Sequence, residues 1–399
     1  MIKIDVSLNF LKARIDYLRV QVLFNIIYNL DPSKKMIFLI KFFLFRLFSG
    51  STVSSDLLNK VLELAELNRL GSIYSDQQQE KIVNNLNVVK SELESIKNLR
   101  IKNFKIFYRL FMRLGIFELA YTCHTLVEER SKIQIINKNH IIDHQSNSSQ
   151  IIRTYIKYIK YLKYPEKNLS LPTFTKTNIS PFKVTINGPV TRNIDNIINS
   201  SSDYYIFPKF NLSHFEQYRK LLLNRKIVSF YQEDEINQST INSLSILEVG
   251  FFNSVKSYKK YVQLKFGNVA IQPIKDYLSP YGYPAHLNKI ILNLLYFFNN
   301  NLVIDLIGFN FFLEKQIYFY GYRSEKYNSA DAFDIKALER FWNFQSFHDL
   351  FSDWRLIRDL LKSNLVCVSD EMTPLMKLSE RDYFNTLSML YGLRRGSVI

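Results

Sequence analysis

Lys183-Val184-Thr185-Ile186-Asn187-Gly188-Pro189 is the stretch on which the fold of this chain turns. A short apolar run closed by Asn-Gly-Pro has the signature of a buried strand entering a turn. Further runs of the same kind follow: Tyr204-Tyr205-Ile206-Phe207, Ile227-Val228-Ser229-Phe230, Leu302-Val303-Ile304-Asp305-Leu306-Ile307 and Leu365-Val366-Cys367-Val368. Helical stretches separate them, and strands alternating with helices predict an α/β fold with a mainly parallel sheet. Such sheets take ligands at the carboxyl ends of their strands, so the residues just after each run are the first candidates for chemistry. Gly188 would let the backbone come close to a ligand there, although Asn-Gly and Gly-Pro are also ordinary turn formers.

Upstream the texture is different. From Leu8 to about Ile133 apolar residues recur at helical spacing, as in Leu57, Leu58, Val61, Leu62 and Leu64, with Gly and Pro nearly absent. Leu64-Ala65-Glu66-Leu67-Asn68-Arg69-Leu70-Gly71 and Tyr108-Arg109-Leu110-Phe111-Met112-Arg113-Leu114-Gly115 look alike, and each precedes another helical run. They read as helical hairpins with a tetratricopeptide-like flavour. Residues 1–150 are therefore expected to form an all-α helical-hairpin domain and 183–399 the sheet domain. Between them, 151–182 reads as a linker containing Pro165, Pro172 and Pro181.

The 399 residues, 47% hydrophobic and 22% charged, suit a packed protein of two domains. A net charge of +16 favours an anionic partner: nucleic acid, acidic lipid, or a phosphorylated or carboxylated substrate. The bias to Ile, Lys, Asn, Phe and Tyr points to an AT-rich genome, which inflates Lys for reasons unrelated to binding. The Tyr155, Tyr158, Tyr161 and Tyr164 ladder reads more economically as a packing face than as a stacking platform for nucleic acid. Cys123 and Cys367 lack the spacing of a zinc site or a disulfide framework, which fits a reducing cytoplasm. The N-terminus shows no apolar core or cleavage site of a secretory leader, so a cytoplasmic location is expected. Met36 to Phe48, interrupted by Lys41 and Arg46, falls short of the ~20 residues of a spanning helix. It reads either as a buried helix or as a basic helix lying on anionic lipid at the inner membrane.

The Asn187-Gly188-Pro189 edge resembles the Gly-Asn-Gly-Pro-Ser opening of bacterial sialyltransferases of the campylobacter type, with Val190 in place of Ser. In that family the opening cradles the CMP part of the donor, and the resemblance implies a Rossmann-like domain with Asn187, Gly188 and Pro189 as donor contacts. Tyr204 to Glu216 looks like the family's second strand and the loop with a nucleotide-binding Asn, for which Asn211 is nearest. Leu306-Ile307-Gly308-Phe309-Asn310-Phe311 resembles its Ser-Gly-Ile-Asp-Phe strand end. Tyr318 then falls on a Tyr that contacts the donor phosphate, and Asp334-Ile335-Lys336-Ala337-Leu338-Glu339 matches a family helix. The likeness spans Lys183 to Val368 and rests on the order of its motifs. It departs from the family in one important place, because no His lies between His286 and His348.

Phe347-His348-Asp349-Leu350-Phe351-Ser352-Asp353 supplies a substitute. His348 followed five residues later by Asp353 is similar to the His-x4-Glu signature of animal-type sialyltransferases, in which the His is the general base. An attacking acceptor hydroxyl must lose a proton, and imidazole has an ordinary pKa suited to receive it. On a helix, positions three to five apart share roughly one side, and Asp349 or Asp353 would orient or electrostatically tune the ring. The plainer reading is a solvated His on an amphipathic helix. His286, in a turn before an apolar helix, is the second choice of site residue, near where the family contacts the donor carboxylate. Arg323, beside Tyr320 and Tyr322, is suited to hold phosphate or carboxylate bidentately, with Arg192 and Lys326 weaker. His124, His140, His144 and His214 are assigned no function.

No cofactor or metal is expected. Glu233-Asp234-Glu235 is the nearest approach to an Asp-x-Asp motif and reads better as a polar turn. P-loop, dinucleotide and nucleophile-elbow motifs are missing from the sequence. The expected function is a glycosyltransferase moving a sugar from an activated anionic donor, most simply CMP-linked, to a hydroxyl of a bacterial surface glycan such as capsule or lipopolysaccharide. Its expected partners are the donor, a possibly lipid-linked acceptor and the inner-membrane surface. Two other readings stay open: a transferase using phosphoribosyl pyrophosphate, and a basic scaffold that binds nucleic acid.

Overall fold

The computed structural model describes residues 55–70, 74–96, 101–136, 181–188, 201–207, 225–231, 247–252, 270–273, 281, 285–297, 302–314, 338, 341, 348–362 and 364–395. Met36 to Phe48, the Tyr155–Tyr164 ladder and Glu233-Asp234-Glu235 lie outside them.

The N-terminal part is helical, as its periodicity predicts. It contains α1 (Ser55–Leu70), α2 (Asp76–Ser95), α3 (Ile101–Leu114) and α4 (Phe117–Ile136). A reciprocal cap starts α2: the Gln78 amide donates to the Ser75 hydroxyl, and the Gln78 side chain accepts from the Ser75 amide. Its buried side chains, Ile82, Asn85, Val89 and Leu93, recur every three or four residues and form one stripe. Gly115 ends α3 in the left-handed region at φ 69°. The Ile116 amide then reaches back to the Phe111 carbonyl at 2.9 Å and the Gly115 amide to Met112 at 3.3 Å. Only two residues separate α3 from α4, so the pair forms the hairpin expected from Tyr108–Gly115.

A seven-stranded, all-parallel sheet follows, built of β1 (Phe182–Asn187), β2 (Tyr204–Phe207), β3 (Ile227–Tyr231), β4 (Leu247–Phe252), β5 (Ala270–Pro273), β6 (Leu302–Ile307) and β7 (Val366–Val368). The described helices of this part are α5 (His286–Phe297), α6 (Leu350–Leu361), α7 (Thr373–Lys377) and α8 (Glu380–Tyr391). Strand order is β5-β4-β3-β2-β1-β6-β7. The chain thus steps outward from β1 to β5 and returns to the other side of β1 with β6. Connections leave β1 and β6 in opposite directions, and that is where an open parallel sheet offers a crevice at its carboxyl edge. Register across this pair runs from Phe182 opposite Leu302 to Asn187 opposite Ile307. Central β1 buries all but Lys183, as a strand covered on both faces should.

The last helix lies against the helical part rather than apart from it. Arg395, 2% exposed, donates through both terminal nitrogens to Asn68 of α1, and Asn68 donates to the Leu114 carbonyl at 2.7 Å. Ser388 of α8 donates to Glu118 of α4. One apolar core therefore runs from Leu57 to Leu393 across both halves. Among the described residues, no helix is long and apolar enough to cross a membrane.

Candidate functional site

Asn187 closes β1 at the carboxyl edge and is 4% exposed. Its amide nitrogen donates to the Ile206 carbonyl of β2 at 3.3 Å, while Oδ1 has no partner among the described residues. Turning the amide over would set two acceptors face to face, so the observed orientation is the favoured one. A buried acceptor without a donor costs about 1–3 kcal/mol, and among the described residues Glu118 Oε2 and Asn288 Oδ1 share this state.

Gly188 corrects one expectation. What comes close to its backbone is Gly308: a Cβ on residue 188 would stand 2.1 Å from the Gly308 carbonyl oxygen and 2.8 Å from the Phe309 ring. The Gly188 amide donates to the Ile307 carbonyl at 2.7 Å, and the residue is buried. Its N–H therefore belongs to the β1–β6 ladder and is not offered to a phosphate.

Across from it, the turn after β6 is strained. Gly308 has φ 72°, and two bulky residues follow in the left-handed region, Phe311 at 49° and Phe312 at 60°. Each of these costs of the order of 1 kcal/mol or more and persists only when the surroundings over-determine it. Asn310 supplies part of the constraint, accepting from the Phe312 amide at 3.1 Å through Oδ1 and from the Leu313 amide at 2.8 Å through its carbonyl. The last helix supplies the rest. Tyr383 donates to the Phe311 carbonyl at 3.4 Å, Tyr391 donates to the Glu314 carbonyl, and Phe341 stacks on Tyr391 at 3.8 Å and meets Phe312 at a tilt at 5.3 Å. Burial raises both tyrosines far above the usual phenol range, keeping them as donors. Sequence reading picked out Gly308 but neither tyrosine, which sit in an ordinary amphipathic helix with no local mark of this role.

The His348 element also needs correction. His348 is half-buried and lies before α6, not on it, because Asp349 is the helix cap. The Asp349 carboxylate accepts from the Ser352 amide at 3.0 Å and from its hydroxyl at 2.8 Å. Asp353, 3% exposed in the first turn of α6, accepts from the Asn288 amide at 2.8 Å and from the Leu287 amide. The Asn288 side chain donates to the Ser352 carbonyl at 3.1 Å. Asp353 thus caps the neighbouring α5 instead of sharing a helical face with His348. Burial, opposed by these amides and helped by the Asp349 charge, raises its acid well above the ordinary range.

His286 is the first residue of α5, so the helix held by Asp353 is the one that carries it. The side chain of His286 and all of Pro189, Asn211, Tyr318 and Arg323 lie outside the described residues. Leu338 and Phe341, near the motif Asp334–Glu339, are helical and buried. Among the described residues, no group of three or more His, Cys, Asp or Glu is arranged to hold a metal ion.

His124, given no role from its sequence context, is 1% exposed at the meeting of α4, α8 and the turn before α5. It bonds Tyr281 through Nδ1 and Glu380 through Nε2 at 2.9 Å. Comparison of the chain with protein-family models, with curated proteins and with solved structures gave no match.

Proposed function

We propose that the chain is a metal-independent glycosyltransferase with a Rossmann-like catalytic half. Its donor is an activated anionic sugar, most simply a CMP-linked one, and its acceptor is a hydroxyl of a bacterial surface glycan, capsule or lipopolysaccharide. The observation that carries this reading is the buried Oδ1 of Asn187, without a partner among the described residues, at the point where the strand order reverses. A carbonyl oxygen there is suited to accept from a ribose hydroxyl or a base amino group. The strained turn of Gly308–Phe312 borders the same edge, and strain of this kind concentrates where ligands are gripped.

In this reading Tyr318 and Asn211 contact the nucleotide and phosphate, and Arg323 meets the negative charge. Half-buried His348 removes the acceptor proton as its oxygen attacks the anomeric carbon, and the nucleotide leaves with the bonding pair. Imidazole accepts a proton near neutral pH without special tuning. The basic charge of the chain would keep the enzyme at the inner-membrane surface beside a lipid-linked acceptor.

Titration with CMP and CMP-linked sugars, with release of CMP followed in the presence of glycan acceptors, tests the proposal. Asn187→Ala should weaken donor binding by about tenfold, one hydrogen bond in a dry site. His348→Ala should abolish turnover while leaving donor affinity intact. Pyrophosphate release from phosphoribosyl pyrophosphate would transfer the reading to the other donor. Steeply salt-dependent binding of random nucleic acid without turnover of any donor would end it.

A further inference from the structure

His124 joins segments that are far apart in the chain. Its Nε2 lies 2.9 Å from the Glu380 carboxylate of α8, and its Nδ1 bonds the hydroxyl of Tyr281, five residues before α5. A carboxylate only accepts, so Nε2 carries a proton, and in the neutral ring Nδ1 then accepts from the phenol. Tyr281 is kept protonated by burial, with the charges of Asp349, Glu128 and Glu380 adding to it against Arg355. Arg355 of α6 ties Glu380 at 3.2 Å to Glu128 of α4 at 2.6 Å. The imidazole stands edge-on to Phe351, in the first turn of α6, at 4.8 Å, and Tyr281 stacks on Tyr108 at 4.0 Å.

A buried polar network is often no more stabilising than apolar packing of the same volume; what it adds is direction. Two things are directed here. One is Tyr281, five residues before the α5 start that Asp353 caps. The other is the beginning of α6, immediately after His348. We propose that Glu380, His124 and Tyr281 form a positioning relay, by which a side chain of the helical half holds the α5 entry and the His348 segment in place for transfer. The inference rests on the transferase reading for the reaction it serves, but its geometry can be tested without it.

Tyr281→Phe removes one hydroxyl and keeps the ring that stacks on Tyr108. Ser388→Ala is the control, since it breaks another contact between α8 and α4, that with Glu118, away from the turn. Amide hydrogen exchange over residues 285–291 should accelerate at least ~10-fold in Tyr281→Phe and stay unchanged in Ser388→Ala. With an active donor, kcat should fall about 10- to 100-fold with donor KM within about twofold, the pattern of misplaced groups and not of lost binding. Wild-type exchange in Tyr281→Phe overturns the relay, and so does a kcat loss without faster exchange, because the hydroxyl would then act otherwise than by holding the turn. Should the wild type turn over no sugar donor, the transferase reading falls and the exchange experiment alone decides the relay.

Discussion

Asp353 is where two roles for one residue separate most cleanly. Its carboxyl group accepts the Asn288 amide at 2.8 Å and that of Leu287, both at the start of α5, from a site 3% exposed. Asp353→Ala leaves two buried amides without an acceptor, at about 1–3 kcal/mol each, or about 2–6 kcal/mol in all. For a cooperative unit of 150–250 residues this is roughly a 4–24 °C fall in Tm. Asp353→Asn keeps a carbonyl oxygen and should hold most of that stability. The two differ with pH. Burial raises the folded-state acid well above its ordinary 3.8, so over that window the native protein holds a proton that the unfolded chain has lost. Wild-type stability is therefore complete below the ordinary value and falls as pH rises towards the folded one. Asp353→Asn lacks this loss and should gain on the wild type steadily from about pH 4 upward, as read by urea unfolding across pH. In the transferase reading, turnover in Asp353→Asn should stay within about threefold of wild type, where loss of a catalytic acid–base partner would cost about 10²-fold or more. If Asn proves as damaging as Ala, the capping role is wrong; if the wild type gains on Asn as pH rises, the capping amides outweigh burial in setting the acidity of Asp353.

Gly188→Ala should cost about 3 kcal/mol or more in urea unfolding, because its Cβ would meet a backbone carbonyl with nowhere to move. A change under about 0.5 kcal/mol, the range of a surface substitution, would mean that β1 and β6 do not close as described. Arg395→Lys should lower stability by about 2 kcal/mol by thermal unfolding, since an ammonium cannot reach the Asn68 side chain and carbonyl together as the fork does. An unchanged Tm would show that the last residues do not clasp α1.

Much of the architecture was legible in the order of residues. The runs at Val184, Tyr204, Ile227, Leu302 and Val366 are strands, and the Tyr108–Gly115 stretch ends in a glycine turn, because both periodicities depend on neighbours within one or two turns of chain. The strands Leu247–Phe252 and Ala270–Pro273 escaped notice; Gly250 and Pro273 interrupt their apolar character, and only pairing with β3 and with each other makes them strands. The site was less legible. Asn187 stands out in the sequence for its place at the end of a strand, but that its Oδ1 has no partner among the described residues depends on where Ile206 falls across the sheet. His348 and Asp353 suggested one helical face until the Asp349 cap started the helix between them and α5 drew Asp353 away. His124 had no signal at all, since its partners lie 157 and 256 residues further along the chain. Hydrophobic period is a local property that the sequence carries by itself, whereas the partner of a buried polar group is whatever distant segment packing brings to it, and only the tertiary structure decides that.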